Sequence, residues 1–168
     1  AAEHVVVLDG TSRRLRLAGA GAASAVVAPL RRYSTPVDLA VDSTDDQLAV
    51  LVVHDDDPFT RWWSAEALMI RFIDAHRDGR AADADATMHV LAAALSSVAA
   101  SERDPLLLAQ MLSLPDEFML GDREARIDVD GVSSGLAALA ARLGTELRDV
   151  LRHVVEQFVD DPAGTSPD

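Results

Sequence analysis

Residues 54–57 read His-Asp-Asp-Asp and form a dense group of potential metal ligands. Oxygen-rich cation sites need several carboxylates, and Asp55, Asp56 and Asp57 provide three beside the imidazole of His54. However, consecutive side chains in an extended segment point to opposite faces, so three adjacent aspartates converge on one ion only in a specially curled loop. The alternate-position spacing of an EF-hand loop is also missing. The pattern therefore favours a structural role over a metal site.

Asp57 and Pro58 are the residue types that begin a helix. An aspartate at the N-cap accepts a hydrogen bond from a free N–H of the first turn, and proline suits the next position because that N–H would be unpaired anyway. The neighbouring acids also favour the positive end of the helix dipole. We therefore expect residues 54–57 to end a strand and to start a helix at residue 58.

Glu66 is the unusual residue of that predicted helix, because it falls in the middle of an apolar stripe. At 100° per residue, the stripe consists of Phe59, Trp62, Met69, Ile70 and Ile73. Glu66 is either an acid with a shifted pKa at a functional site or a structural carboxylate paired with an arginine or with backbone donors. We favour the structural interpretation. Trp62 lies on the core stripe, and we expect it to anchor this helix to the preceding part of the chain.

The remaining candidates for chemistry are weaker. His153 and Glu156 lie three residues apart and could bind a metal, but two ligands are too few, and a solvated pair is the favoured interpretation. We expect His76 to complement the negative end of its helix. Serine pairs occur at 96–97 and 133–134 without a recognisable His-Asp arrangement.

Composition excludes several classes of function. The formal net charge is −13, which makes nucleic acid a poor partner because such a surface repels phosphates. The chain has no cysteine, so disulfides, thiolate metal sites and cysteine nucleophiles are excluded. No apolar run reaches the ~20 residues that span a bilayer, so we expect no membrane contact and a cytoplasmic location. The chain does not begin with Met, which fits an internal piece of a longer protein.

The first third of the chain has the patterns of β-strands. Apolar and polar residues alternate at 13–18 and 37–42, and 49–53 is a β-branched run, with turn-forming residues between these segments. We expect four or five short antiparallel strands near 4–9, 13–18, 25–33, 36–42 and 47–53.

After residue 57 the apolar period changes to that of helices. We predict helices near 58–77, 84–100, 104–113 and 130–158, the last with a bend at Gly144. A continuous apolar stripe marks the last helix and consists of Val132, Leu136, Leu139, Leu143, Leu147, Val150, Val154 and Phe158. The segment 160–168 has the composition of a disordered tail.

Strands followed by helices indicate a multi-domain chain of separate all-β and all-α modules. We expect a partial immunoglobulin-like β-sandwich at 1–56, truncated at its N-terminal side, and an α-helical domain at 57–159. A complete sandwich has about seven strands, so this one would leave an unpaired edge. That edge, at 4–9 or 13–18, would support a homodimer through strand pairing.

Four patches of the sequence resemble the bacterial aminopeptidase N family of zinc metallopeptidases. They are RYSTPVDL (32–39), DPFTRWWSAEAL (57–68), LLAQMLSLP (107–115) and LGTELRDVL (143–151), in the order and spacing of that family. The resemblance implies the end of a small β-sandwich domain followed by the start of a C-terminal armadillo-like α-helical superhelix. One departure is Glu66, where the family pattern implies a glutamine.

The family's catalytic residues cannot be assigned in this chain. Its zinc site is H-E-x-x-H with a further glutamate, and its substrate-amine site is a G-x-M-E-N loop. The residues after His4, His54, His76, His89 and His153 are Val, Asp, Arg, Val and Val, so no His-Glu pair exists. We therefore expect no catalytic, substrate-binding or metal residue here.

The resemblance implies a non-catalytic segment of a parent enzyme. The parent would hold the zinc and hydrolyse N-terminal residues from peptides, and its catalytic domain would be the partner of this segment. The structural residues would be Asp57, Pro58, Trp62 and Glu66. An alternative is a free-standing module of β-sandwich and helical repeat, without enzymatic activity, that binds a partner protein through its acidic helical face.

Overall fold

The computed structural model describes residues 5–7, 9–16, 25–33, 37, 40–123 and 127–159. A short 3-10 turn at Arg31–Tyr33 precedes the helices of this part of the chain. The helices are α1 (Asp45–His54), α2 (Pro58–Arg77), α3 (Ala81–Ser101), α4 (Pro105–Leu112), α5 (Glu117–Asp122), α6 (Val129–Glu146) and α7 (Arg148–Val159). None of the described residues lies in a β-strand.

The expected β-sandwich is therefore wrong. The described residues before 45 contain no strand, and several of their apolar side chains, among them Val5, Val7 and Val27, are exposed. A strand is stable only when a neighbouring strand pairs with its backbone and another element covers its apolar face. The described residues before 45 have no neighbouring strand and leave these apolar side chains uncovered. The expected homodimer depended on a strand edge at 4–9 or 13–18, and the described parts of these segments have none.

Helix α1 replaces the strand that we expected at 47–53. It begins with a capping box: Thr44 Oγ1 accepts a hydrogen bond from the Gln47 amide at 3.2 Å, and the Thr44 amide donates to Gln47 Oε1 at 2.9 Å. Leu48, Leu51 and Val52 are buried, which is the three- and four-residue spacing of a helix face. Periodicity alone could not separate the two structures, because the apolar run is short enough to fit either.

The predicted helix over 58–77 is confirmed by α2, which has the same bounds. The helices predicted at 84–100 and 104–113 are confirmed as α3 and α4, with ends shifted by no more than three residues. The short helix α5 was not predicted. Its N-cap is Asp116, whose Oδ1 atom accepts hydrogen bonds from two first-turn amides at 2.8 and 3.2 Å.

The long helix predicted at 130–158 is two helices, because α6 ends at Glu146 and α7 begins at Arg148. Leu147 separates them with φ −102° and ψ 9°. Backbone hydrogen bonds continue across this residue, since its amide donates to Leu143 at 2.9 Å and its carbonyl accepts from Leu151 at 2.8 Å. The bend therefore lies at Leu147 and not at Gly144. The apolar stripe is confirmed through Val154, and the predicted tail at 160–168 lies outside the described residues.

The core lies where α1, α2 and α3 pack together, with α6 against α2 on another side. Helix α4 contacts α2 and α3, α5 contacts α6, and α7 contacts α3 and α6. The largest fully buried side chains include Leu68, Phe72, Met88, Leu95 and Leu139. No helix in the described residues is both long and apolar enough to cross a membrane.

Candidate functional site at the helix junctions

The aspartates at 55 and 56 bind an arginine from an earlier part of the chain. Arg31 Nη1 donates to both carboxylate oxygens of Asp55, at 2.9 and 3.0 Å, and Arg31 Nη2 binds Asp56. The hydrogen bond from Arg31 also lowers the pKa of Asp56. Two of the three carboxylates of the candidate metal site therefore attach the segment near residue 31 to the corner between α1 and α2.

Asp57 is the N-cap residue of α2 and is buried, with Pro58 in the first turn. Its Oδ2 atom accepts hydrogen bonds from the Arg32 amide at 2.7 Å and from Thr60 Oγ1 at 2.9 Å. Burial alone would raise the pKa of Asp57, but these two donors and the nearby Phe59 amide lower it. The carboxylate does not make the side-chain capping hydrogen bond that we expected. It joins the preceding segment to the helix start.

The backbone before this corner is strained. Leu30 and Arg32 have φ angles of 52° and 56°, in the left-handed backbone region that residues other than glycine rarely adopt. Such a residue costs on the order of 1–3 kcal/mol and persists only where its surroundings hold it. The contacts of Arg31 with Asp55 and of the Arg32 amide with Asp57 are the surroundings that do so here.

A second junction is made by Arg61 of α2. Its Nη1 atom donates to Glu102 Oε2 at 2.6 Å, and its Nε atom donates to the Val52 carbonyl at 3.0 Å. Glu102 is the C-cap residue of α3, and Val52 lies in α1. One side chain therefore connects the three central helices.

A cleft of about 370 Å³ lies among α1, α2 and α3, and charged side chains line most of it. Arg71 Nη1 donates to Asp45 at 2.6 Å, and Thr87 Oγ1 donates to the other oxygen of Asp45 at 2.5 Å. Arg80 binds Asp78 and Asp83, each at 2.9 Å. Because these side chains bind each other, the cleft stabilises the junction between the helices.

Glu66 and Trp62 lie on the less buried side of α2. Trp62 is partly buried against the core, and its ring centroid is 5.7 Å from that of Phe59. Glu66 is half-buried, and it has no hydrogen bond or ion pair with any described residue. Burial raises the pKa of Glu66. The expected arginine or backbone partner of Glu66 is therefore not found in the described part of the chain.

The other candidate residues do not come together. His153 and Glu156 are exposed on α7, and the serines at 97, 133 and 134 are exposed as well. His76 is exposed near the end of α2 and stacks on Phe72, with ring centroids 6.2 Å apart. Over residues 5–7, 9–16, 25–33, 37, 40–123 and 127–159, no three His, Asp or Glu side chains are arranged to hold a metal ion.

Sequence reasoning missed the residues that make the junctions, namely Arg31, Arg61, Arg71 and Glu102. Arg61 and Arg71 carried a weak signal, because each is a charged residue among the mostly apolar residues of the long helix α2. Their partners are 41 and 26 residues away in sequence, so only the folded chain identifies them.

The amino-acid sequence is similar to that of known proteins. Residues 45–167 match a family described as a domain of unknown function (DUF3458_C) with ARM repeats. Aminopeptidase N of Escherichia coli (strain K12) is 31% identical over 130 residues, which are 75% of this chain and 15% of that protein. Aminopeptidase N of Haemophilus influenzae is 29% identical over 121 residues, which are 70% of this chain and 14% of that protein.

These matches confirm the resemblance to bacterial aminopeptidase N. The chain spans about a seventh of the length of these relatives, as their coverage of 15% and 14% indicates. The family match begins at Asp45, the first residue of α1, and extends past the end of α7. The chain therefore belongs to the DUF3458_C family of ARM-repeat domains.

Proposed function

We propose that this chain is a non-catalytic structural segment of a zinc-dependent aminopeptidase N. The observation that carries the proposal is the match of 75% of this chain to only 15% of an aminopeptidase N. In the parent, this segment would pack against the catalytic domain and begin a helical repeat region. The parent would remove N-terminal residues from peptides.

The residues present do not fit the zinc site of such an enzyme. None of the five histidines is followed by glutamate, so the chain has no H-E-x-x-H motif. Zinc binding and peptide hydrolysis would therefore depend on residues of the parent outside this chain. The cytoplasmic location stays a prediction.

The helix junctions support a bracing role. Arg31 fixes the preceding segment to the corner between α1 and α2, and Arg61 ties α1, α2 and α3 together. Repeat domains of stacked helices are stable through contacts between neighbouring repeats and present extended surfaces to other parts of a protein. These junctions would hold such a surface in a fixed orientation.

The reading frame around this chain tests the proposal directly. We expect an open frame that continues upstream and encodes H-E-x-x-H followed by a further glutamate. A start codon immediately before residue 1, with no such motif, would contradict the proposal and would favour a free-standing interaction module.

An activity assay of the isolated 168-residue chain is the complementary test. We expect no release of p-nitroaniline from alanine p-nitroanilide and no stoichiometric zinc in metal analysis, because the catalytic set lies elsewhere. Turnover that persists through removal of contaminating peptidases, together with one zinc per chain, would show that this segment is itself catalytic.

A further inference from the structure

Glu66 differs from every other acid of the described residues that is at least partly buried. Six acidic side chains are buried or half-buried in this part of the chain, and five of them have an arginine, hydroxyl or amide donor within the same part. Those five are Asp45, Asp55, Asp57, Asp74 and Glu102. Removing a carboxylate from water is costly unless a hydrogen-bond donor compensates for the lost hydration. Glu66 is the one acid of these six that has no such donor among the described residues.

Aromatic and aliphatic residues lie one helical turn before and after Glu66 on α2. Trp62 and Trp63 lie one turn before it and Ile70 lies one turn after it, on the same side of the helix. All three are partly buried against the core and remain partly accessible. Burial raises the pKa of Glu66, and no positive charge within the described part of the chain opposes this effect.

The arginines of α2 are committed to other partners. Arg61 binds Glu102, Arg71 binds Asp45, and Arg77 lies within 3.8 Å of Asp74 and 3.5 Å of Asp128. A cation that pairs with Glu66 must therefore come from outside this helix.

We propose that Glu66, Trp62 and Trp63 form a contact site for an arginine side chain of a partner protein. A guanidinium group can bind a carboxylate through its fork of N–H donors and can stack on an indole face at the same time. A lysine ammonium is more strongly hydrated and cannot make the bidentate contact, so arginine fits this surface better. The inference goes beyond the proposed function, because it specifies the chemistry of the partner and not its identity.

The two tryptophans of the site are the only ones in the chain, so tryptophan emission, excited at a wavelength that tyrosine does not absorb, reports on this part of α2. Titration of the 168-residue chain with N-acetyl-arginine amide should give a saturable change in emission. N-acetyl-citrulline amide has nearly the same shape without the charge, and we expect it to give only a small linear change. Equal responses to the two compounds would overturn the proposal.

The isosteric variant Glu66→Gln should weaken the arginine response by about tenfold, as expected for the loss of a charge-assisted hydrogen bond. The matched control is Glu117→Gln, which removes the same charge from an exposed position on α5 and should leave the response unchanged. An unchanged response in Glu66→Gln would overturn the proposal. Carboxyl NMR of the wild-type chain gives a second readout, because bound arginine should lower the pKa of Glu66, and a constant pKa would contradict binding there.

Discussion

Arg61 Nη1 lies 2.6 Å from Glu102 Oε2, and this ion pair joins the start of α2 to the end of α3. The Glu102 carboxylate also accepts hydrogen bonds from the amides of Arg103 and Asp104, at 2.9 and 3.0 Å. Arg61 reaches α1 as well, through the Val52 carbonyl. The pair therefore fixes three helices and the loop that leads to α4.

Replacing Arg61 with methionine should lower the free energy of unfolding by about 1–3 kcal/mol, because Glu102 would keep a partly buried charge and lose this arginine. Urea denaturation measures the change. The control is Arg152→Met, since Arg152 forms an exposed 3.4 Å pair with Asp149 and its loss should change stability by no more than about 0.5 kcal/mol. Equal losses in the two variants would contradict the structural role of Arg61.

The same pair should make stability depend on pH on the acid side. Hydrogen bonding from the Asp104 amide and then from Arg61 lowers the pKa of Glu102 below its usual 4.5. A lowered folded pKa stabilises the protein above the unfolded value, and this contribution is lost as the pH falls through the folded value. The stability difference between wild type and Arg61→Met should therefore shrink as the pH falls below 4.5. Parallel stability curves for the two proteins would exclude this linkage.

Glu66 should give a pH dependence of the opposite sign. Burial raises its pKa above the usual 4.5, so the folded state binds more protons than the unfolded state and stability falls as the pH rises through that range. Relative to wild type, Glu66→Gln should gain stability as the pH rises through this range. Thermal denaturation across this range checks the sign. A relative loss of stability with rising pH would indicate an undetected cationic partner.

Two glycines of α6 should respond to alanine in opposite directions. A Cβ atom at Gly135 would lie 2.7 Å from Ile73 Cγ2, a buried atom on a branched side chain, so Gly135→Ala should cost about 1–3 kcal/mol. Beyond the adjoining backbone, no atom of the described residues lies within 4 Å of the Cβ position at Gly144, so Gly144→Ala should stabilise the helix by about 0.5–1 kcal/mol. Denaturant midpoints of the pair test the close approach of α6 to α2. Stabilisation by both substitutions would show that the helices are farther apart.

Thr44→Ala should destabilise the chain by about 0.5–2 kcal/mol, because it removes the hydroxyl that caps α1. Thr44→Ser keeps this acceptor and should retain most of the stability. Thr145→Ala is the control, since the Thr145 hydroxyl donates only to a carbonyl of its own helix, Ala141, at 2.9 Å. If Thr44→Ala and Thr145→Ala cost the same, α1 does not depend on its capping box.

Local signals were enough to predict the boundaries of several helices. Asp57 followed by Pro58 predicts the start of α2, and its end at Arg77 was predicted as well. The apolar stripe through Val132, Leu139 and Leu143 predicts which side of α6 is buried. These predictions succeed because the preference of proline for the first turn of a helix and the apolar periodicity are local properties, which act over one or two turns.

Tertiary structure decided what short-range patterns left open. The run at 49–53 has the residue types of a strand, yet it lies in α1, where Leu48 and Val52 are buried in the core shared with α2 and α3, and no described strand is available to pair with it. Arg31 is 24 residues from Asp55 in sequence, so local patterns could not show that the aspartates at 55 and 56 bind an arginine. Whether Glu66 finds a partner depended in the same way on where distant arginines lie after folding.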